Sequence, residues 1–463
     1  MRFAWILLPA ILTAQQYDIV FKHGRVIDPE SKLNAVRDVG IKGGKIAAIT
    51  SRPLKGKIEI QADGLVVAPG FIDLHSHGQT PENYRYKAMD GVTVALELER
   101  GVSPLQQWYA ERDGKALIHY GASAGYVPVR MAVMKDTGKV VPQDAAMNRL
   151  ASNAERRLIE QTLGRDLADG GLGLGIILGF TPSAGAEEIL DLFFLASKWR
   201  RPVFLHPRDA GVFESLQEAI ADTAISGASL QIEHINSVAA AKTREALGMI
   251  EGARARGLDI STEAYPYIAG ASPIESAMLS PGWQARLKLD YSDLMWAANG
   301  ERLTAETFDR YRKQGGRVIM FYNTEEMVRA AIAHPLVMIG SDGNFDRGSG
   351  HPRSAGTFAR ILGRYVRDGH YISLMEAIRK CSLQPAQRLE NRSPMMRTKG
   401  RLRVGADADV TVFDPERVID KATFEKPAQY SEGFRYVLVN GTFVVREGTL
   451  QDGVAPGLPI RAR

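Results

Sequence analysis

The sequence predicts an α/β protein: a parallel (β/α)8 barrel of the TIM type, with a small β-sandwich built from both ends of the chain. Three observations predict it. Apolar runs of five to eight residues recur eight times through the middle, most of them separated by helix-patterned stretches. Short alternating runs broken by Gly, Pro, Asn and Asp occupy both ends. Residue types that bind metals stand at the C-terminal ends of five of the eight central runs, the face on which barrel enzymes build their sites.

The composition suits such a fold and excludes others. With 463 residues, 45% apolar and 24% charged, the chain is an ordinary globular protein. A net charge of +5, with both signs interspersed, gives no basic run of the kind that binds nucleic acid. The single cysteine, Cys381, excludes an intramolecular disulfide and a cysteine-rich metal site, and its amphipathic setting reads as core.

Residues 1–15 read as a signal peptide. Arg2 precedes the apolar "FAWILLPAILTA", and Ala14 offers a small residue at a cleavage point before polar "QQYD". The run is too short for a comfortable membrane span. The expectation is an exported chain, periplasmic or secreted, with no membrane partner once the signal is removed.

Residues 16–68 form the N-terminal half of the sandwich: "YDIVFKHGRVIDP", "DVGIKGGKIAAI" and "KIEIQADGLVVAP". Residues 396–463 supply the C-terminal half and a tail, with "GADADVTVFDP" and the hairpin "RYVLVNGTFVVREG" turning at Asn440-Gly441. Neither end buries a core alone, so the two read as one domain. Between them, residues 69–395 carry the barrel strands "FIDLHSH", "VTVALELE", "ALIHYGAS", "GLGLGIIL", "PVFLHPR", "LQIEHIN", "LDISTEAYPY" and "LVMIGSDG". The stretch from about 282 to 331 is longer than one helix needs and reads as an insertion between the seventh and eighth strands. The glycines of "DGGLGLGIILG" belong to a tight strand; no Lys-Ser/Thr follows to make a phosphate loop.

The strand ends carry the chemistry. The first ends in His75 and His77, which share a face by the two-residue period of a strand. The second ends in Glu99, the fifth in His206, the sixth in His234 and the eighth in Asp342. Imidazole and carboxylate together suit zinc or a similar divalent ion.

"PGFIDLHSHG", "FLHPRD", "IEHIN", "YPYIAGAS", "GSDG" and "HPRSAGTFARILGRYV" together resemble the metal-dependent amidohydrolase superfamily. The likeness is to its D-aminoacylase branch, the N-acyl-D-amino-acid and N-acyl-D-glutamate deacylases. It runs from about residue 17 to 446 and includes the ending "GADADVTVFDPERVIDKATFEKP". The resemblance implies hydrolysis of an N-acyl-D-amino acid to a carboxylate and a free D-amino acid, with one or two zinc ions. It implies His75, His77, His206 and His234 as metal-site histidines and Asp342 as the catalytic acid/base. Arg353 corresponds to an arginine that grips the substrate's α-carboxylate, and Tyr265 to a tyrosine that helps fix the acyl amino acid.

The chain departs from that branch twice. Relatives often carry a cysteine near the end of the second strand, where this chain has "ALELERG"; Glu99 lies nearer the open end than Glu97 and is taken as the ligand, with Glu97 as the fallback. Asn236 stands where relatives often carry lysine. Arg208 and Arg100, also at strand ends, favour an acidic substrate side chain, while Asn236 argues mildly against one. His119 is read as ending the third strand in a supporting role, and His351 as shaping the loop of Arg353.

Two rival functions remain at this level. One is another amidohydrolase reaction on the same scaffold: cyclic-amide or dipeptide hydrolysis, or deamination. The other is a binding protein with a purely structural metal, which calls for saturated coordination and no role for Asp342. Catalysis calls for an open metal position with an unpaired Asp342 beside it.

Overall fold

The computed structural model describes residues 16–209 and 211–463; residues 1–15, on which the signal-peptide expectation falls, lie outside them. The chain opens with β1 (Tyr17–Asp28), β2 (Leu33–Lys42), β3 (Lys45–Thr50), β4 (Gly56–Gln61) and β5 (Val66–Pro69). Gly43 and Gly44 turn β2 into β3 with φ of 58° and 73°, the positive values that a tight hairpin needs. Seven strands of the middle follow: β6 (Phe71–Asp73), β7 (Val92–Val102), β8 (His119–Gly125), β9 (Leu174–Ile177), β10 (Pro202–His206), β11 (Ser229–Ile232) and β12 (Ile260–Ala264). An antiparallel trio, β13 (Ala269–Pro273), β14 (Leu294–Trp296) and β15 (Arg317–Phe321), comes next, before β16 (Val337–Ile339). A two-residue hairpin, β17 (Phe345–Asp346) with β18 (Ser349–Gly350), leads into the last helices. The chain closes on β19 (Val410–Phe413), β20 (Phe434–Val439), β21 (Thr442–Arg446) and β22 (Thr449–Leu450).

Strands β6 to β12 and β16 form one parallel sheet in chain order. Its two edges meet where Ser76 pairs with Gly343 and the Asp342 amide donates to the His75 carbonyl at 2.7 Å. The barrel is therefore nearly closed, and its C-terminal strand ends converge. Ile72, Val94, Leu96, Phe204 and Met338 fill the interior with no polar atom to satisfy. Ile460 and Ala462 of the tail join that cluster, and the Ile460 amide donates to Tyr120 O at 2.7 Å. The tail thus stoppers the N-terminal end of the barrel and leaves the other end as the open face.

Both chain ends build one nine-stranded sheet in the order β22-β21-β20-β19-β5-β1-β2-β3, with β4 alongside β1. Phe21, Val39, Ile46, Val410 and Leu438 line its own core, while Phe413, Phe434 and Val445 belong to the barrel's core cluster. Residues 405–408 hydrogen-bond back to Gly44 and Ile46 beside β3, so the sheet curls over itself.

Two expectations are corrected. The third strand does not end at His119; it begins there and runs through small residues to Gly125, because "GASAG" fits the close approach to Gly101 and Gly175. The insertion begins at β13, earlier than residue 282, and ends with β15. Helix Glu325–Ala333, which packs on β16, belongs to the barrel itself.

Candidate metal centre

At the open face, β6 runs on into His75 and His77, whose Nε2 atoms lie 3.2 Å apart. Each ring is pinned from behind. His75 Nδ1 faces Glu263 Oε1 at 2.9 Å and Glu233 Oε2 at 3.3 Å, and His77 Nδ1 faces the Glu97 carboxylate at 2.9 and 3.1 Å. A carboxylate behind an imidazole fixes the proton on Nδ1 and turns the Nε2 lone pair outward.

Those lone pairs point at oxygen. Glu99 Oε2 is 3.2 Å from both Nε2 atoms, and Asp342 Oδ1 is 3.5 and 3.3 Å from them. Lone pairs directed at carboxylate oxygens repel unless a cation sits between them, so this donor set fits a divalent metal. The other oxygen of Glu99 makes a second seat: Oε1 is 3.1 Å from His206 Nδ1 and 2.8 Å from His234 Nε2. Glu99 is thus shared between two groups of potential ligands, His75–His77–Asp342 and His206–His234. Burial opposes its charge, but His75, His206 and His234 hold its carboxyl well below the usual range.

The structure therefore brings all six strand-end residues together. Glu97 and Glu99 share a face of β7, as the period requires, but Glu97 touches only the far side of His77. Glu233 and Glu263 are fully buried and were not singled out in the sequence. Glu263 Oε1 also accepts from the His234 amide at 2.5 Å and helps hold that residue at φ 28°. Burial pushes Glu233 up to about 8, against the pull of His75 and with Glu263 adding to the rise.

Asp342 sits at φ 50° and is not unpaired as expected: its Oδ2 lies 2.8 Å from Arg353 Nη2. Arg353 is buried at the start of helix Arg353–Arg360, and a buried guanidinium needs an anion; Asp342 is the one within reach. Burial favours the neutral acid at Asp342, but Arg353, His75 and His77 outweigh it and hold the carboxyl well below its ordinary value. The Nε and Nη1 atoms of Arg353 find no partner among the described residues. Its guanidinium lies over the Tyr265 ring, 4.4 Å from the centroid. Tyr265 is itself fully buried, and its hydroxyl meets Tyr322 at 2.7 Å; Tyr322, which the sequence did not flag, lines the cavity.

The remaining candidates scatter. His119 lies away from the site, on Asp409 and Lys399 at 3.2 and 2.9 Å. Arg208 is taken by Glu218 at 2.7 Å, which removes it as a receiver for an acidic side chain. Arg100 lines the cavity and donates to Val140 O at 3.0 Å. Asn236 Nδ2 donates to Tyr265 O, and His351 contacts the Arg353 amide at 3.0 Å. Cys381 is buried, as read.

Comparison with known proteins gives a family and relatives. Residues 210–445 match the amidohydrolase family model described as Amidohydro_3. The N-acyl-D-glutamate deacylase of Alcaligenes xylosoxydans xylosoxydans is 30% identical over 93% of this chain and 94% of its own. The D-aminoacylase of the same organism is 29% identical over 94% and 96%. A crystal structure of the N-acyl-D-glutamate deacylase of Bordetella bronchiseptica, complexed with zinc and a phosphonate mimic of the tetrahedral intermediate, superposes with a TM-score of 0.83. It is 26% identical and covers 97% of this chain and 100% of its own.

Proposed function

This chain belongs to the amidohydrolase family, and from that premise we propose that it hydrolyses the amide bond of N-acyl-D-amino acids to a carboxylate and a free D-amino acid. The observation that carries the reading is the Asp342–Arg353 pair set against the shared Glu99 carboxylate. It supports the reading because a proton acceptor and a carboxylate receiver are in contact with each other beside the imidazole and carboxylate cluster. The D configuration rests on the relatives named N-acyl-D-glutamate deacylase and D-aminoacylase.

The cofactor is zinc, one or two ions, held by His75, His77, His206, His234 and Glu99. Bound there it supplies Lewis acidity, which lowers the pKa of water towards about 7 and polarises a carbonyl. The rest is done by the chain. Asp342 is a carboxylate at neutral pH and faces the metal seat with Oδ1, so it accepts the proton of the attacking water. The same carboxyl then delivers that proton to the leaving amine. Arg353 orients the substrate through the α-carboxylate, with the donors that Asp342 leaves free. Tyr265 and Tyr322 brace that guanidinium and the cavity wall.

The test is kcat/KM of the zinc-loaded enzyme on N-acetyl-D- and N-acetyl-L-amino acids, before and after chelation. The D series should be hydrolysed, and zinc return should restore what chelation removes. An L preference, or turnover in verified metal-free protein, would refute the reading. We propose also that the chain is exported, on the strength of Arg2 and the apolar run after it. N-terminal sequencing of protein from the native host should then start near Gln15.

A further inference from the structure

Arg317 opens β15 and lines the same cavity as His77, Glu99, His206, His234 and Asp342. It forms no side-chain hydrogen bond or ion pair among the described residues. The acids of the cavity are already engaged: Glu99 with four imidazoles, and Asp342 with Arg353. Burial, Arg353 and Arg100 pull its guanidinium down to about 10 against the opposing pull of Asp342 and Asp346, and it is still a cation at neutral pH. A partly buried guanidinium that no carboxylate contacts is costly unless the substrate brings an anion to it.

The insertion holds it there firmly. Gly316, at φ 141°, lets the backbone pass so close to Trp296 that a Cβ would lie 2.5 Å from the ring. Trp296 stacks on Tyr311 with centroids 4.1 Å apart and belongs with Trp283, Phe308, Val318 and Met320 to the insertion's own core. Pro273 on β13 stands opposite Arg317 in register. A packed scaffold fixes the backbone from which the Arg317 side chain reaches the cavity, so only that side chain is ordered when the ligand arrives.

We propose that Arg317 is the residue that sets side-chain specificity, receiving a second carboxylate so that the preferred substrates are N-acyl derivatives of dicarboxylic D-amino acids. This inference rests on the deacylase reading above. With Arg353 on the α-carboxylate, Arg317 meets the side-chain carboxylate from the insertion side; Arg208 is held by Glu218, and Arg100 on β7 lines the cavity but donates to Val140 O. A neutral side chain of the same shape leaves the Arg317 guanidinium desolvated and unpaired, which is the penalty that discriminates.

N-Acetyl-D-glutamate and N-acetyl-D-glutamine, which differ by one charged group at equal shape, test it with zinc-loaded wild-type and Arg317→Gln enzyme. Melting temperature and zinc content serve as fold controls. Wild type should prefer the glutamate by a factor on the order of 10 to 10² in kcat/KM, carried by KM. Arg317→Gln should bring the ratio close to one, and Arg317→Lys should restore part of it. A wild type that prefers N-acetyl-D-glutamine or N-acetyl-D-leucine, or a glutamate preference that survives Arg317→Gln, overturns the assignment. Should no N-acyl-D-amino acid turn over, the deacylase reading fails, and calorimetry of the same two compounds still decides Arg317. Equal affinities in wild type overturn the assignment; a glutamate preference lost in Arg317→Gln upholds it.

Discussion

Asp342 occupies a left-handed backbone position, and the residues around it exist to keep it there. Its amide donates to His75 O, while the flanking Ser341 donates through its amide and hydroxyl to Asp73 at 3.0 and 2.6 Å. Asn tolerates positive φ as well as Asp does, so Asp342→Asn changes the chemistry and leaves the backbone alone. That variant should keep its zinc, by direct metal analysis, and lose kcat by a factor on the order of 10² to 10⁴, the usual worth of a general acid/base. Near-normal kcat would reduce Asp342 to a ligand. At this scale the sequence was informative about residue type at strand ends, because a strand end at the barrel mouth has one place to point. It was silent where identity depends on the opposite side of the barrel. Period two puts Glu97 and Glu99 on one face and nearness to the open end favours Glu99, but that Glu97 backs the far side of His77 follows only from the position of that ring. Glu263 obeys the same strand-end rule as the ligands, at the end of β12, and was legible by it. Arg317 was not, since the insertion that delivers it has no periodic neighbour to set its direction.

Helix Pro81–Met89 secures the closing edge of the barrel. Its Lys87 is buried and reaches Asp73 Oδ2 at 2.8 Å and Ser341 Oγ at 2.6 Å, joining the first barrel strand to the turn after the eighth. Lys87→Met would leave Asp73 buried without its cation, a loss of about 3–5 kcal/mol for a pair broken on one side. Denaturant unfolding should show that loss, and an unchanged midpoint would mean that Ser341 alone suffices. The eight strands were legible in order because each is a short buried run between helical patterns. Boundaries were less so. In β8 the aliphatic Leu117-Ile118 drew the strand too early, whereas the strand itself is made of small residues whose value is close packing. The insertion was placed by length alone, so its first strand, "AGASP", fell outside the bounds given for it.

Across the whole molecule, one buried charge network joins the terminal sheet to the barrel. Lys399 meets Asp409 at 2.7 Å, Asp407 at 3.1 Å and His119 at 2.9 Å, and His119 reaches the tail through the Leu458 amide at 3.0 Å. Burial favours the neutral acid at Asp409, but Lys399 and His119 prevail and hold its carboxyl well below the unfolded value. A depressed carboxyl contributes stability that is present above the unfolded pKa, about 4, and is lost as pH falls through the folded value. Lys399→Met should therefore lower Tm at pH 7, and the gap to wild type should narrow below about pH 4 as Asp409 protonates. A gap independent of pH would show that the lysine acts only by packing. That the two ends of the chain form one domain was readable from their matching strand patterns; that the tail also enters the barrel was not, since "GLPIRAR" has no period.

The order of strands in the terminal sheet has a consequence for how the protein is made. β5 lies between β1 and β19, and Val66, Val67 and Ala68 face β19 residues more than 300 positions later in the chain. At a synthesis rate of about 5–20 residues per second, the partner strand emerges tens of seconds after β5 does. Until then the nascent chain carries an open apolar strand edge, the kind of template on which other chains aggregate. The β1–β4 strands can pair among themselves as they emerge, but the β5 edge stays open until almost the whole barrel has been made.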